Sequence, residues 1–175
     1  MNRIVKTALA GLAFGLGGAA ASLIVSQTGV LAQAQPSTAA NIKLIQDYYA
    51  AYGSGDLNRL RPFFADNIRW MIPGEHPLAG MKIGKDEVVA FFAQLNKGGF
   101  GAEPIAFAAD GEWVIDLHRG FSTKGVGKVD TTWALAFKIR NNQIVEAVNF
   151  SLDQAAANKY FWDNYPLKSI PERLR

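Results

Sequence analysis

Cysteine is absent from this 175-residue chain, and histidine occurs only twice. The absence of cysteine excludes disulfide bonds, thiolate metal sites, lipid-modified cysteines and cysteine nucleophiles. The stability of the fold must therefore come from its core, and 49% of the residues are hydrophobic. The length suits one domain and is short for two.

A strong excess of charge is also missing, because the chain carries 18 basic and 15 acidic residues. Two of the basic residues, Arg3 and Lys6, lie in the first 34 residues, which hold no acid. The remainder is nearly neutral and lacks the clustered Lys and Arg side chains that bind phosphate backbones. The sequence therefore predicts no nucleic-acid partner.

The N-terminus has the order of a signal peptide. Arg3 and Lys6 precede an uncharged run, residues 7–25, and small residues occupy positions 32 and 34. This order predicts a signal peptide, residues 1–34, cut after Ala34, and an exported protein of the periplasm or extracellular space. The alternative is a retained anchor, since the run nearly spans a hydrocarbon core of about 30 Å.

Apolar residues at helical spacing predict the helices. A short leader, residues 35–40, precedes Asn41, which is predicted to cap the first helix, and Asp56 is predicted to cap the second. Aromatic residues in the tail predict a C-terminal helix that packs on the domain. The predicted helices are residues 42–52, 57–64 and 85–96, with the last inside 154–175.

Alternation of period two predicts the strands. Asn141 and Asn142 separate the last two, and both central positions of a type I′ hairpin turn need positive φ, which asparagine tolerates. Those strands are therefore predicted to be antiparallel neighbours. The predicted strands are residues 68–72, 105–109, 112–123, 130–140 and 143–153.

Helices first and a long antiparallel sheet afterwards is the order of an α+β fold. A bent sheet closed by three helices encloses a cavity. The sequence therefore predicts one domain over residues 41–153, with a curved, mostly antiparallel sheet and three helices around a pocket. The C-terminal helix and tail, residues 154–175, are predicted to pack on it.

Two stretches resemble the SnoaL-like branch of the nuclear transport factor 2-like superfamily. The first, residues 48–70, contains Tyr-Tyr-Ala-Ala-Tyr-Gly-Ser-Gly-Asp and ends on Asn-Ile-Arg-Trp; the second, 80–92, is a glycine-bearing loop leading into a helix that ends in Phe-Phe. The resemblance covers residues 41–153 and implies a cone-shaped fold, a pocket between the first helix and the concave sheet, and often a dimer. The superfold hosts isomerases, cyclases, dehydratases, epoxide hydrolases and non-catalytic binders.

The resemblance also implies one catalytic residue. In ketosteroid-isomerase-like members a tyrosine eight residues before a Gly-Asp aspartate donates to the oxyanion, and Tyr48 stands eight residues before Asp56. The general-base aspartate of those enzymes is replaced here by Ile72, and their second acid would fall near Leu135. The resemblance therefore does not imply steroid isomerisation by that base.

His118 and Asp116 are the other candidate catalytic residues. Histidine titrates near neutrality and suits proton transfer. On the predicted strand 112–123 the two side chains share a face, about 7 Å apart. If this face lines the pocket, Asp116 can orient or charge an imidazole base. If it faces outward, the pair is polar surface or a dimer contact, and the sequence leaves both readings open.

Five further residues are candidate ligand contacts. The aromatic ones suit an apolar ring compound, although aromatics at this spacing also serve as core. His76 follows the first strand, where the mouth of such a cone opens, although it also fits an ordinary exposed loop. Two distant histidines without a third ligand predict no metal site, and no cofactor is expected. The five are Tyr52, Trp70, His76, Trp133 and Asn149.

These observations predict an exported protein that binds a small hydrophobic or cyclic ligand. If it is an enzyme, Tyr48, Asp116 and His118 would support cofactor-independent acid/base chemistry of the isomerase, cyclase or lyase kind. The alternative is a non-catalytic binding or accessory module that dimerises through its sheet. A homodimer is expected, with no membrane contact after signal cleavage.

Overall fold

The computed structural model describes residues 38–165. The predicted signal peptide, residues 1–34, lies outside this range, as do residues 35–37 of the leader and 166–175 of the tail. The helices are α1 (Thr38–Gly53), α2 (Leu57–Leu60), α3 (Lys85–Gly98) and α4 (Gln154–Asn164). The strands are β1 (Phe64–Ile72), β2 (Gly80–Ile83), β3 (Phe100–Asp110), β4 (Trp113–Ser122), β5 (Asp130–Arg140) and β6 (Gln143–Ser151).

The six strands form one sheet in the order β2-β1-β6-β5-β4-β3. All neighbouring pairs are antiparallel except β1 and β6, which are parallel. Register shifts in the β1/β6, β3/β4 and β5/β6 pairs bend the sheet. The predicted α+β cone-like fold is confirmed.

Helix α1 lies along edge strand β3 and is hydrogen-bonded at one end to this strand and at the other to the turn that follows it. The Tyr52 hydroxyl donates to the Phe100 carbonyl over 2.6 Å. At the other end, the Asn41 amide donates over 3.0 Å to the carbonyl of Gly111, in the β3–β4 turn. The prediction that Asn41 caps α1 was therefore wrong, because the helix begins three residues earlier, at Thr38. The side chain of Asn41 instead connects α1 to the β3–β4 turn through Gly111, which is distant in sequence.

Other boundaries differ where chain reversals are tight. The predicted helix 57–64 is one α-helical turn, α2, followed by a 3-10 turn, Arg61–Phe63, with a proline near its start. Strand β2 was predicted as loop, because four residues are too few to show a period. Strand β3 begins at Phe100, five residues before its predicted start. Gly99 ends α3 in a left-handed conformation, and the chain becomes extended directly after it.

Helix α4 packs against the end of α3 and the loop after β1. Asp153 caps it by accepting from the Ala156 amide over 2.9 Å. The Tyr160 hydroxyl donates to Gly98, and the Tyr165 hydroxyl to Gln94, both on α3. The Trp162 indole donates to the Glu75 carbonyl. The predicted hairpin turn is confirmed as well, because Asn141 and Asn142 have φ of 50° and 58°.

Candidate functional site

Asp116 and His118 lie on the concave face of the sheet. They are 1% and 3% exposed, whereas Ile115 and Leu117, between and beside them on β4, are 52% and 41% exposed. From Ile115 to His118 the strand thus turns its polar side chains inward and its apolar ones outward, the reverse of the usual arrangement. Of the two readings that the sequence left open, the structure selects the interior one.

The Asp116 carboxylate accepts from three donors. The Tyr49 hydroxyl donates to Oδ2, and the Leu135 amide donates to Oδ1 over 2.7 Å. Nδ1 of His118 lies 3.3 Å from the same Oδ1. Acceptance from several donors is what an ionised carboxylate can do and a protonated one does less well. The network stabilises a buried negative charge beside the imidazole.

These contacts assign the proton on His118. The Tyr49 hydroxyl also lies 3.2 Å from Nδ1 of His118, but its one proton is donated to Asp116. Burial, together with Tyr48 and Asp116, raises the pKa of Tyr49 well above its ordinary value, so the phenol keeps that proton. Nδ1 must therefore be the donor, and in the neutral imidazole this leaves Nε2 with a free lone pair. An imidazole in this tautomer can accept a proton through Nε2.

Tyr49 is the residue of this network that the sequence did not single out. It neighbours Tyr48 on α1, and its ring packs against Phe107 of β3 and His118 of β4. The helical pattern predicts that both tyrosines are buried but not which reaches β4. That pairing depends on how α1 is rotated on the sheet, and no local signal in the sequence reports it.

His118 lines a small inner cavity between α1, α3 and the sheet. Its volume is about 30 Å³, which holds about two water molecules. The lining is mostly aromatic and apolar, and its polar members come from α1, β4 and β6. The lining residues are Tyr48, Tyr49, Tyr52, Trp70, Phe91, Phe92, Leu95, Phe100, Ala102, His118, Leu135 and Asn149.

A larger outer pocket of about 550 Å³ opens beside the inner cavity. Tyr52, Phe100 and Ala102 line both spaces, so these side chains form the boundary between them. Glycines contribute much of the remaining wall, together with Asn96 and Lys124. The two spaces therefore adjoin, with these side chains between them.

Asn149 and Trp70 form a pair at the cavity wall. The Trp70 indole is 1% exposed and donates to the Asn149 side-chain oxygen over 2.5 Å. Trp70 sits on β1 and Asn149 on the neighbouring strand β6. Both were predicted as ligand contacts, and both line the inner cavity.

The family model of the SnoaL-like domain matches residues 45–147 of this chain. The chain belongs to the SnoaL-like domain family. An uncharacterized protein of Mycobacterium tuberculosis is 29% identical over 128 residues, 70% of this chain and 96% of that protein. A nuclear transport factor 2-like protein from Burkholderia xenovorans LB400 is 28% identical, with a TM-score of 0.61, over 71% of this chain and 98% of that structure.

A third similar structure is that of the epoxide hydrolase/cyclase-like enzyme SalBIII, described with a role in pyran ring formation in polyether salinomycin. It is 17% identical, with a TM-score of 0.57, over 63% of this chain and 89% of that structure. At this identity the likeness shows the fold alone. The predicted membership of the SnoaL-like branch is confirmed by the family match.

In this SnoaL-like domain Tyr48 lies deep in an aromatic cluster. Its ring contacts Tyr49, Trp70 and Phe137, with centroids 5.0, 6.2 and 5.7 Å away. Among the described residues its hydroxyl has no hydrogen-bond partner, although Tyr48 lines the inner cavity. Burial raises its pKa well above the ordinary value, so the group remains a donor. Its predicted oxyanion role stays a prediction.

Asp116 and Leu135 are paired across the sheet of this SnoaL-like domain. The resemblance predicts the second acid of ketosteroid-isomerase-like members near Leu135, and Leu135 pairs with Asp116 across β4 and β5. An acid is therefore present on the adjacent strand, at the same level of the sheet. It contacts His118 from there, and the Leu135 backbone amide donates to it.

Trp133 and His76 are not in the cavity lining, although both were predicted as ligand contacts. Trp133 pairs with His118 across the sheet, but its indole packs over Gly120 and against Phe100. Its indole nitrogen is buried without a partner among the described residues. The lack of a side chain at Gly120 makes room for the indole. Trp133 is therefore a core residue behind the site.

His76 is buried beneath α4. Its ring stacks on Phe161 at 4.2 Å, and Nδ1 accepts from the Leu78 amide. With Nδ1 as acceptor, Nε2 carries the proton and donates to the Pro73 carbonyl over 3.1 Å. Neither of the two predicted alternatives, mouth ligand or exposed loop residue, describes this position. The packing of α4, invisible in the local sequence, buries the ring.

We expect acid to destabilise the fold through His76. Burial lowers its folded pKa to about 4, whereas the unfolded value is about 6.5. The unfolded chain therefore binds the proton more readily than the folded chain. The contribution of the neutral His76 to the free energy of unfolding is fully present above pH 6.5 and is lost as the pH drops towards 4. The test is to measure the melting temperatures of the wild type and His76→Gln between pH 4 and pH 6.5. His76→Gln should flatten the slope, whereas Glu75→Gln should not; equal slopes in all three would contradict it.

Within residues 38–165 no three His, Cys, Asp or Glu side chains are grouped so that they could hold a metal ion. In the same part of the chain, no helix has the length and apolar character needed to cross a membrane.

Proposed function

We propose that this SnoaL-like protein binds a small apolar or cyclic carbonyl compound and transfers a proton on it. The observation that carries the proposal is the buried Tyr49–Asp116–His118 network beside the inner cavity, which holds the proton of a neutral His118 on Nδ1 and so makes Nε2 the basic nitrogen. In this scheme Nε2 removes a proton from the carbon next to the carbonyl. The Asp116 charge stabilises the imidazolium that forms, and Tyr48 donates to the carbonyl oxygen.

The two adjoining spaces support this class of ligand. The inner cavity of about 30 Å³ admits only a small group, whereas the outer pocket of about 550 Å³ can hold a ring. The similar SalBIII structure, described as an epoxide hydrolase/cyclase-like enzyme, shares the fold. A ligand that places its carbonyl end inward would bring that end to His118.

The experiment that tests this proposal is hydrogen–deuterium exchange. The full-length chain is incubated in D₂O with cyclohexanone, 1-tetralone or 2-tetralone, and NMR follows the α-protons. We expect exchange faster than in buffer for at least one ketone. Buffer-level exchange for every ketone, with the chain folded, would contradict the catalytic proposal.

A second candidate function, a binding module that dimerises through its sheet, is favoured by the outer sheet patch. This patch consists of apolar side chains on the convex face, where Leu117 pairs with Ala134 and Ala134 pairs with Phe150. Phe150 is 55% exposed. Ion pairs around Arg119 and Arg140 flank its ends. An apolar centre with a charged rim is typical of a protein interface, so we propose a homodimer.

We expect Leu117→Glu to weaken dimerisation at least tenfold, because it places a charge at the centre of the patch. Analytical ultracentrifugation measures the change in Kd. Val126→Glu is the matched control, because Val126 is 86% exposed and lies in the β4–β5 loop. A monomeric wild type, or equal dissociation constants for all three chains, would overturn the dimer. Ligand binding without α-proton exchange would favour the binding module over the enzyme.

We also propose export with cleavage after Ala34, on the order of charged, apolar and small residues in the first 34 positions. Mass spectrometry of the chain from the native envelope fraction tests it. A protein that begins at Gln35 supports export, and one that retains residues 1–34 supports the anchor.

A further inference from the structure

The hydrogen bond from Trp70 fixes which way the Asn149 amide faces. An indole N–H can only donate, so the atom that it meets at 2.5 Å must be the amide oxygen. Trp70 is 1% exposed, and no other described acceptor bonds its nitrogen. Reversing the amide would set N–H against N–H and leave a buried donor without a partner. The orientation is therefore dictated by chemistry.

The consequence is a free NH₂ group at the inner cavity. Asn149 lines that cavity, and its oxygen is committed to Trp70. No described residue accepts a hydrogen bond from its nitrogen. Of the other polar groups in the lining, the Tyr52 hydroxyl donates to Phe100 and the Tyr49 hydroxyl donates to Asp116. The uncommitted polar groups of the lining are thus the Asn149 NH₂, the Tyr48 hydroxyl and Nε2 of His118.

These groups divide into donors and one base. The two donors, Tyr48 and Asn149, both contact Trp70. Asn149 pairs with Leu135 on the neighbouring strand, and Leu135 pairs with Asp116 on the strand after that. Asn149 is therefore two strands away from Asp116 and His118, about 10 Å across the concave face. Side chains from both positions point into one cavity. A small group between them can meet a donor on one side and the base on the other.

We propose that Asn149, locked by Trp70, is a second oxygen-binding donor, which stabilises the enolate oxygen that forms when a ketone substrate loses its α-proton. This rests on the proposed function of the same site. His118 takes the α-proton, the C–H electron pair forms the carbon–carbon double bond, and the carbonyl electrons move to the oxygen. Asn149 and Tyr48 donate to that oxygen. Return of the proton from His118 to carbon regenerates the base, with no redox partner.

The probe is 4-nitrophenol, used at a pH at which it is ionised, because a phenolate oxygen mimics an enolate oxygen. Its visible absorbance reports binding to the full-length chain. The comparison compound is 4-nitrotoluene, which has a similar shape but no phenolic oxygen. We expect Asn149→Leu to weaken 4-nitrophenolate binding by about tenfold to a hundredfold, the usual cost of one hydrogen bond to a charged group. Binding of 4-nitrotoluene should change less than threefold.

Two further variants guard against a folding artefact. Asn149→Leu leaves the Trp70 donor unpaired, so the double variant Trp70→Phe/Asn149→Leu removes both partners and should show the same selective loss. Ser151→Ala is the matched control on β6, because its buried hydroxyl has no partner among the described residues and does not line the cavity. It should leave both affinities unchanged.

The outcomes separate this inference from the proposed function. Absent phenolate binding by the wild type, or equal losses for both compounds, would overturn the Asn149 donor. An intact phenolate affinity in the double variant would overturn it too. If binding depends on Asn149 but no ketone exchanges its protons, the oxygen site stands and the catalytic proposal fails. If a ketone exchanges its protons but phenolate binding does not depend on Asn149, the catalytic proposal stands and the oxygen site fails.

Discussion

Replacing His118 with glutamine is expected to lower the rate of α-proton exchange by about a hundredfold to ten-thousandfold, the usual contribution of a positioned general base. Glutamine keeps a polar side chain of similar reach that can donate to Asp116, but it has no basic nitrogen. The cavity wall and the Tyr49–Asp116 hydrogen bond should therefore survive. The measurement is the NMR exchange assay with the ketone that the wild type processes fastest.

His76→Gln is the matched control, since it removes the chain's other histidine. His76 lies beneath α4, in contact with Phe161 and outside the inner cavity lining. Its loss should leave the exchange rate within about threefold of the wild type at neutral pH, because it touches no reacting atom. Wild-type exchange by a folded His118→Gln chain would remove His118 from the mechanism.

Asp116→Asn is expected to reduce exchange about as strongly while lowering the free energy of unfolding by only about 1–3 kcal/mol. The new amide oxygen can still accept from the Leu135 amide, but the new NH₂ group faces the Tyr49 hydroxyl. Tyr49 would then accept from the amide and turn its own proton towards Nδ1 of His118. That moves the imidazole proton to Nε2 and removes the lone pair from the cavity.

The tautomer provides a readout that a purely structural role for Asp116 would not move. Ring ¹⁵N shifts of His118 should show the proton on Nδ1 in the wild type and on Nε2 in Asp116→Asn. Asp47→Asn is the matched control, because Asp47 is exposed and forms an ion pair with Lys43, away from the cavity lining. An unchanged tautomer together with unchanged exchange would show that Asp116 does not position His118.

The phenolate experiment and the exchange experiment address different parts of one cavity. His118→Gln should slow exchange without removing the oxygen donors, whereas Asn149→Leu should weaken oxygen binding while the base remains. The inner cavity is so small that both effects depend on a compact reacting group. The outer pocket, by contrast, sets the size of the remaining ligand.

Most of the fold could be predicted from local patterns. Helical spacing identified α1 and α3, and the two asparagines of the last hairpin specified its turn through positive φ. Errors occurred where a tertiary contact overrides the local signal. Asn41 resembles a helix cap in sequence, but its side chain donates to Gly111, seventy residues away. Strand β2 is too short to have a period and is defined by pairing with β1.

The candidate site could be predicted only in part, because its contacts also depend on tertiary packing. Tyr48 was selected from a family motif and does line the cavity, but Tyr49 makes the contact with Asp116. The two tyrosines are about 100° apart around α1. A periodic pattern buries both without specifying which one faces β4. Only the rotation of α1 on the sheet makes that choice.

The sequence alone determined that Asp116 and His118 share one face of a strand, because side chains alternate with period two. It could not determine which face is concave, since β4 presents apolar Ile115 and Leu117 on the opposite side. The rule that apolar residues face inward would have turned Asp116 and His118 outward. Packing of α1 across β3 and β4 buries the polar pair instead, and Tyr49 and the Leu135 amide supply the hydrogen bonds that make its burial stable.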